Sequence, residues 1–171
     1  MKVAIISDTH DNISNLKRAL VWFKKQGISL IIHCGDICAP LILTEILGQN
    51  FQIYFVCGNV DDCKQLAEAV EKLKGIKFFG KFGEIKLNNK KIAFIHKPDE
   101  ARKLAESGNY DLVFYGHTHQ PWIERLRVKN KKSKFVYLAN PGNLAGMFYK
   151  ATFAVYDSVA DKLELKILER V

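Results

Sequence analysis

The sequence has no long apolar run. No stretch approaches the roughly 20 consecutive apolar residues that a helix needs to span a bilayer. Met1-Lys2 passes straight into Val3-Ala4-Ile5-Ile6, without the apolar block and cleavage site of a secretory leader. A cytoplasmic protein with no membrane partner is therefore expected. Cysteine is scarce. Cys34, Cys38, Cys57 and Cys63 match neither a zinc-knuckle spacing nor a redox pair, and read as buried free thiols in a reducing compartment. There is no internal repeat, linker or low-complexity stretch. Acidic residues are outnumbered, 18 Asp and Glu against 26 Lys and Arg, for a net charge of +8. Such a balance can attract polyanions. The lysines at 24–25, 90–91 and 129–134 fall at expected helix ends and turns, however, with no interleaved aromatics to stack bases. They read as solvated, and a nucleic-acid partner is left open but not favoured.

What is present suits one globular domain over residues 1–171. The hydrophobic fraction of 48% and the charged fraction of 26% are ordinary, and a chain of this length can hide about two-thirds of its unfolded surface. Apolar runs at 3–7, 28–32 and 51–56 read as buried strands. They alternate with helical spacing over 12–26, 41–47 and 62–73, a pattern that implies parallel strands covered on both faces. From residue 83 the character changes. A hairpin is expected at 83–87 and 91–95 around Asn88-Asn89, then a helix at 100–107 and a strand at 112–115. Strands at 122–128 and 135–139 follow around a lysine-rich turn, and a last hairpin at 151–156 and 162–168. The fold class is α/β, with mixed sheets packed together and helices outside.

Ligands gather at the carboxyl ends of parallel strands. The first strand ends in Ser7-Asp8-Thr9-His10, the second in His33-Cys34-Gly35-Asp36 and the third in Cys57-Gly58-Asn59-Val60-Asp61. The hairpin strand ends in His96, and the strand at 112–115 ends in Gly116-His117-Thr118-His119. Four of the chain's 5 histidines, His10, His96, His117 and His119, fall just past these strand ends. Residues two apart in an extended segment point the same way, so Asp8 with His10, and His117 with His119, are expected to face one site. Gly35, Gly58 and Gly116 permit sharp turns there. Asp8, His10, Asp36, Asn59, His96, His117 and His119 are too many for one tetrahedral zinc. They suit two metals sharing a carboxylate. Imidazole with carboxylate favours Mn, Fe, Zn, Ni or Co over Mg or Ca.

The order Asp8-x-His10, Gly35-Asp36, Gly58-Asn59, His96 and Gly116-His117-x-His119 resembles the calcineurin-like metallophosphoesterase superfamily, from residue 1 to about 157. The short length, Gly58-Asn59-Val60-Asp61 and Asn140-Pro141-Gly142 are similar to its small phosphodiesterase branch. The resemblance implies a four-layer sandwich of two packed mixed sheets flanked by helices. It also implies two divalent transition-metal ions. Asp8, His10, Asp36 and His119 would hold one, and Asp36, Asn59, His96 and His117 the other, with Asp36 as bridge. The implied activity is hydrolysis of a small phosphate ester, with Asp36 and Asn59 at the reacting centre and Asn59 also meeting a phosphate oxygen. Two cations about 3.5–4 Å apart can hold a bridging hydroxide at neutral pH for attack on phosphorus.

Two positions depart from the family pattern. Val60 stands where many phosphatases of the superfamily carry a histidine that assists the leaving group, so aryl or nucleotide-like esters should be favoured. His96-Lys97-Pro98-Asp99 replaces the usual His-Gly-His, which makes Lys97 either a phosphate contact or a surface lysine ahead of a helix. His33 reads as a supporting or core residue behind the ligands, and Asn140 as shaping the loop near the metals. Asp61 reads as an aid to the leaving group, Asp62 as that or a helix cap, Asp11 and Asn12 as caps, and Trp122 as packing. A nuclease and a non-catalytic scaffold like the retromer subunit of this fold are the alternatives. A homo-oligomer is left open.

Overall fold

The computed structural model describes residues 1–129 and 134–171; the lysine-rich turn expected at 129–134 lies largely outside the described residues. The chain runs β1 (Lys2–Ile6), α1 (Ile13–Lys25), β2 (Leu30–His33), α2 (Leu41–Gly48), β3 (Gln52–Phe55), α3 (Cys63–Val70), β4 (Ile76–Phe78), β5 (Phe82–Leu87), β6 (Lys90–Ile95), α4 (Pro98–Ser107), β7 (Leu112–Phe114), β8 (Trp122–Arg127), β9 (Phe135–Asn140), β10 (Thr152–Asp157) and β11 (Lys162–Ile167). A 3-10 turn at Leu168–Arg170 follows.

Two mixed sheets result. The first is ordered β11-β10-β1-β2-β3-β4 and the second β5-β6-β7-β9-β8. In the first, β1 to β4 are parallel and β10 runs antiparallel to β1. In the second, β6, β7 and β9 are parallel, with β5 and β8 antiparallel at the edges.

The layering follows from the period-2 alternation of strand side chains. On β1, Ala4 and Ile6 face α1, α2 and α3, where Leu16, Leu20, Phe23, Ile42 and Leu66 bury their side chains. Val3 and Ile5 of the same strand face the other way, against Ile92, Phe94, Leu112 and Phe114 of the second sheet. The far face of that sheet packs on α4 through Ala101 and Ala105. Helices, sheet, sheet and helix make four layers, as expected.

Three details differ from the sequence reading. The edge strand β4, three residues long, directly follows Gly75 and carries too short an apolar run to stand out. Trp122 is 52% exposed on the edge strand β8 rather than packed. Cys57 and Cys63 are not free thiols but paired, with Cα atoms 5.8 Å apart, because the turn between β3 and α3 folds back on itself. Cys34 and Cys38 are free. No helix among the described residues is long and apolar enough to cross a membrane.

Candidate metal centre

β1, β2 and β3 of one sheet and β6 and β7 of the other all end at the same rim of the sandwich. Each exit loop delivers one or two polar side chains there. The arrangement depends on turns, not on extended backbone. Asp8 (φ 51), His10 (φ 39), Asp36 (φ 57), His117 (φ 70) and His119 (φ 59) all hold left-handed conformations. The expectation that Asp8 and His10, and His117 and His119, converge because they are two apart in extended chain is therefore corrected. They converge because left-handed residues two apart curl each loop inward. Such backbone costs of order 1–3 kcal/mol per non-glycine residue and persists only where surrounding contacts impose it.

Those contacts are specific. Asp8 N–H donates to Gly35 O at 3.0 Å, and Thr9 N–H to Asp36 O at 3.0 Å, which lock the first two loops together. Gly116 N–H donates to His96 O at 3.1 Å, tying the two loops of the second sheet. Across the sheets, His117 N–H donates to the Asp8 carboxylate at 3.2 Å. Close approach demands glycine at two points. A Cβ on Gly58 would collide with the Asp36 carboxylate, and one on Gly116 with the Ser7 hydroxyl.

The side chains form two groups that could each hold a metal ion. Asp8, His10, Asp36 and His119 offer atoms all within 4.8 Å of one another, and so do Asp36, His96 and His117. Asp36 belongs to both. Its Oδ2 lies 3.8 Å from His10 Nε2 and its Oδ1 3.4 Å from His96 Nε2. Asn59 completes the second group, its Oδ1 standing 2.9 Å from His96 Nε2 and 2.7 Å from His117 Nδ1. In the first group His119 Nε2 is 3.4 Å from Asp8 Oδ1 and 3.2 Å from His10 Nε2.

The donor set fits cations. Asp8 is 0% and Asp36 2% exposed, and neither meets a lysine or arginine among the described residues. Burying carboxylates so completely is costly without a compensating positive charge. His96 Nδ1 donates to Cys34 O at 2.9 Å. A neutral His96 therefore points its Nε2 lone pair at Asn59 Oδ1, another lone pair. The His10 and His119 Nε2 atoms stand 3.2 Å apart, and His119 Nδ1 is buried without a partner. A cation held between His96 and Asn59 would reconcile their facing lone pairs, and the carbonyl behind His96 is the kind of outer partner that orients a ligating imidazole.

Protonation within the site reports the same crowding. Burial pushes the Asp8 carboxyl up to about 7. Burial would raise Asp36 too, but its hydrogen bond and ion pair with His96 hold it below the ordinary carboxylate value. His96 is raised in turn, the Asp36 contact outweighing the opposing effect of burial.

A model of the calcineurin-like phosphoesterase superfamily domain matches residues 1–161. The chain belongs to that superfamily. It is 30% identical over 150 residues to a phosphodiesterase of Methanocaldococcus jannaschii, covering 85% of this chain and 86% of that one. Superposition on a solved archaeal phosphodiesterase gives a TM-score of 0.85 at 26% identity, over 98% of this chain and 99% of the other. Vacuolar protein sorting 29 of Cryptosporidium parvum superposes with a TM-score of 0.63 at 18% identity, over 97% and 95% of the two chains; that likeness is one of fold alone.

Further side chains surround the cluster. His33 is fully buried behind it. Its Nδ1 accepts from Gly35 N–H at 3.2 Å, which leaves Nε2–H to donate to Thr9 Oγ1 at 3.0 Å. Asn140 donates to Gly116 O and Thr118 Oγ1, each at 2.9 Å, and accepts from Gly142 N–H at 2.8 Å, so it braces the loop carrying His117 and His119. Asn12 and Asp62 cap α1 and α3. Lys97 caps nothing with its side chain. It is exposed and lines a cleft of about 350 Å³ with Asn59, His96, Lys81 and Glu100.

One residue was misread. Asp61 is not aimed at a leaving group. Its Oδ2 accepts from Asp36 N–H at 3.0 Å and Gly58 N–H at 2.7 Å, and its Oδ1 from Ile37 N–H at 2.7 Å and Cys38 N–H at 2.8 Å. One carboxylate thus staples the Asp36 loop to the Asn59 loop. The sequence signal was there in a small way: an aspartate three residues after a glycine can close a turn on its own backbone. Its cross-loop partners could not be read from spacing.

Proposed function

We propose that this protein is a two-metal-dependent phosphodiesterase that hydrolyses small phosphate esters, with residues 1–171 acting as one domain. The supporting observation is the pair of ligand groups sharing Asp36. In this reading Asp8, His10, Asp36 and His119 hold one divalent transition-metal ion, and Asp36, Asn59, His96 and His117 hold the other. Mn, Fe, Zn, Ni and Co suit this nitrogen–oxygen set. When bound, such a pair supplies charge neutralisation for the phosphoryl oxygens and a water acidic enough to act as nucleophile near neutral pH.

The protein's own residues do the rest. Asp36 presents one carboxylate oxygen to each group and so fixes the distance between them. Cys34 O holds His96 in the tautomer whose Nε2 is free to ligate. Asn59 directs its Oδ1 at His96 and His117, leaving its amide N–H to reach a phosphate oxygen. Lys81 and Lys97 line the adjacent cleft, with no ion pair among the described residues, and attract the anionic ester to Asn59. Val60 carries no proton to give, so the ester oxygen leaves without help from that position, and esters of acidic alcohols are the better substrates.

Purified protein, stripped with chelator and reconstituted separately with Mn, Ni, Zn, Fe or Co, tests this. At least one metal should restore hydrolysis of bis(4-nitrophenyl) phosphate, with about two ions bound per chain. No hydrolysis of any aryl mono- or diester with any of the five, at full metal occupancy, removes the reading.

A further inference from the structure

The loop that follows β9 is anchored at its base and open at its tip. Leu144 N–H donates to Ser7 O at 3.0 Å and Ala145 N–H to Asp8 O at 3.1 Å. Asn12 and Asn15 donate to Ala145 O and Leu144 O. Asn143 donates to His119 O at 3.1 Å and accepts from Met147 N–H at 2.6 Å. The loop is thereby fastened to the chain segments carrying Asp8 and His119. Beyond it, Met147, Phe148 and Tyr149 turn outward, and Phe148 is 88% exposed.

Phe148 combines two unfavourable features. Its φ of 62 lies in the left-handed region, which a bulky apolar residue rarely adopts. Its ring also stays in water, where a phenylalanine forgoes the stabilisation of burial. Nothing in the packing of the core requires either. What the conformation achieves is placement: the ring centroid stands 5.9 Å from the His119 ring, tilted by 36°. A flat apolar face is thus held beside the first ligand group, while the cleft with Lys81 and Lys97 opens beside the second.

We infer that Phe148 is a stacking surface for a planar aromatic ester arm of the substrate, a nucleobase or an aryl group. The inference rests on the phosphodiesterase reading above. A phosphodiester seated at the shared Asp36 has two arms. The wall at Phe148 is apolar and aromatic, and suits a π-face. The wall at Lys81 and Lys97 is cationic, and suits the more polar arm. Its chain neighbours Met147 and Tyr149 are exposed as well, and add a soft thioether and a second aromatic to the same loop tip.

Three diesters with one leaving group test this: the 4-nitrophenyl esters of thymidine 5′-phosphate, phenyl phosphate and methyl phosphate, assayed on metal-loaded protein. Phe148→Ala should raise KM for the thymidine and phenyl esters relative to the methyl ester by at least about fivefold, the low end of a lost base–aromatic stack. Phe148→Tyr should restore the preference. A thymidine effect without a phenyl effect narrows the arm to a nucleobase and upholds the inference. An equal rise for all three places their shared 4-nitrophenyl arm on the ring and upholds it; KM unchanged for all three overturns it. A second arm needs no turnover. Emission from Phe148→Trp should be quenched by adenosine 5′-monophosphate and not by ribose 5-phosphate, beyond the response of wild-type Trp22 and Trp122. Absence of that quenching also overturns the inference. If none of the esters is hydrolysed by wild type, the phosphodiesterase reading fails and the fluorescence result alone decides the stacking surface. If Phe148→Ala instead converts an oligomer to a monomer in sedimentation, the ring belongs to an interface between copies and the inference falls.

Discussion

The two ligand groups share a carboxylate but differ in surroundings. Asp8 and Asp36 of the first are buried, and its His10 and His119 are nearly so, enclosed by loops that hydrogen-bond to one another across both sheets. The second contains the exposed His117 and opens on a cleft walled by Lys81, Lys97 and Glu100. The first group is built to hold; the second is built to admit. Under the proposed function, an anionic ester arriving from solvent meets the second group first.

That contrast can be broken or sharpened in four ways. Asp36→Ala removes the shared ligand and should act on both groups at once. Activity should fall by more than about a thousandfold, with bound metal below one ion per chain by atomic emission. Two ions retained would show that Asp36 does not join the groups.

Asp61→Ala leaves every candidate ligand in place but frees the amides of Asp36, Ile37, Cys38 and Gly58. Outer partners of metal ligands are typically worth 10–100-fold in affinity or activity. The loss should appear in the affinity for the second ion, because Asp61 braces the Asn59 loop. Unchanged affinity for both ions by titration calorimetry would make Asp61 a loop residue only.

His33 tests the enclosed side through pH. Burial pushes its pKa down to about 3 from an ordinary 6.5, so its neutral form is the one the fold accepts. Its contribution to stability is complete above pH 6.5 and is lost as pH falls from there towards 3, with a slope approaching about 1.4 kcal/mol per pH unit. In chelator, denaturant midpoints of wild type should drop more steeply between pH 6.5 and 4.5 than those of His33→Gln. Parallel slopes would show that His33 is not held neutral.

Lys97→Ala is expected to be the mildest. An exposed lysine contributes at most about 1 kcal/mol to an ion pair, so KM should rise no more than about fivefold at low salt, with kcat nearly unchanged. The difference should shrink as salt screens the charge. A Lys97→Ala enzyme indistinguishable at low salt would leave Lys97 as only the residue ahead of α4.

Much of this site was legible before any fold was known. Aspartate, asparagine and histidine concentrated at the ends of five apolar runs; the donor count pointed to one shared carboxylate, and the family resemblance implied that it is Asp36. The reading failed where a local rule was overridden by distant contacts. The i, i+2 spacing at Asp8 and His10 suggested extended chain, but hydrogen bonds from the Asp36 loop hold both in left-handed backbone. Asp61 reads as a leaving-group aid in the sequence because three of its four amide partners lie 23–25 residues away. Cys57 and Cys63 read as free because a separation of 6 residues does not by itself reveal a turn that brings them back together.

The residues alone determined the strand-and-helix alternation, the layered class of fold and the chemistry of the donor set, because hydrophobic periodicity and ligand type are local properties of the chain. Only the tertiary structure decided that three strand ends of one sheet and two of another share a rim, that one carboxylate staples their loops, and that Phe148 stands in solvent beside His119. Those facts depend on how two sheets stack and how loops from opposite halves of the chain bond to each other. No short stretch of sequence encodes such contacts.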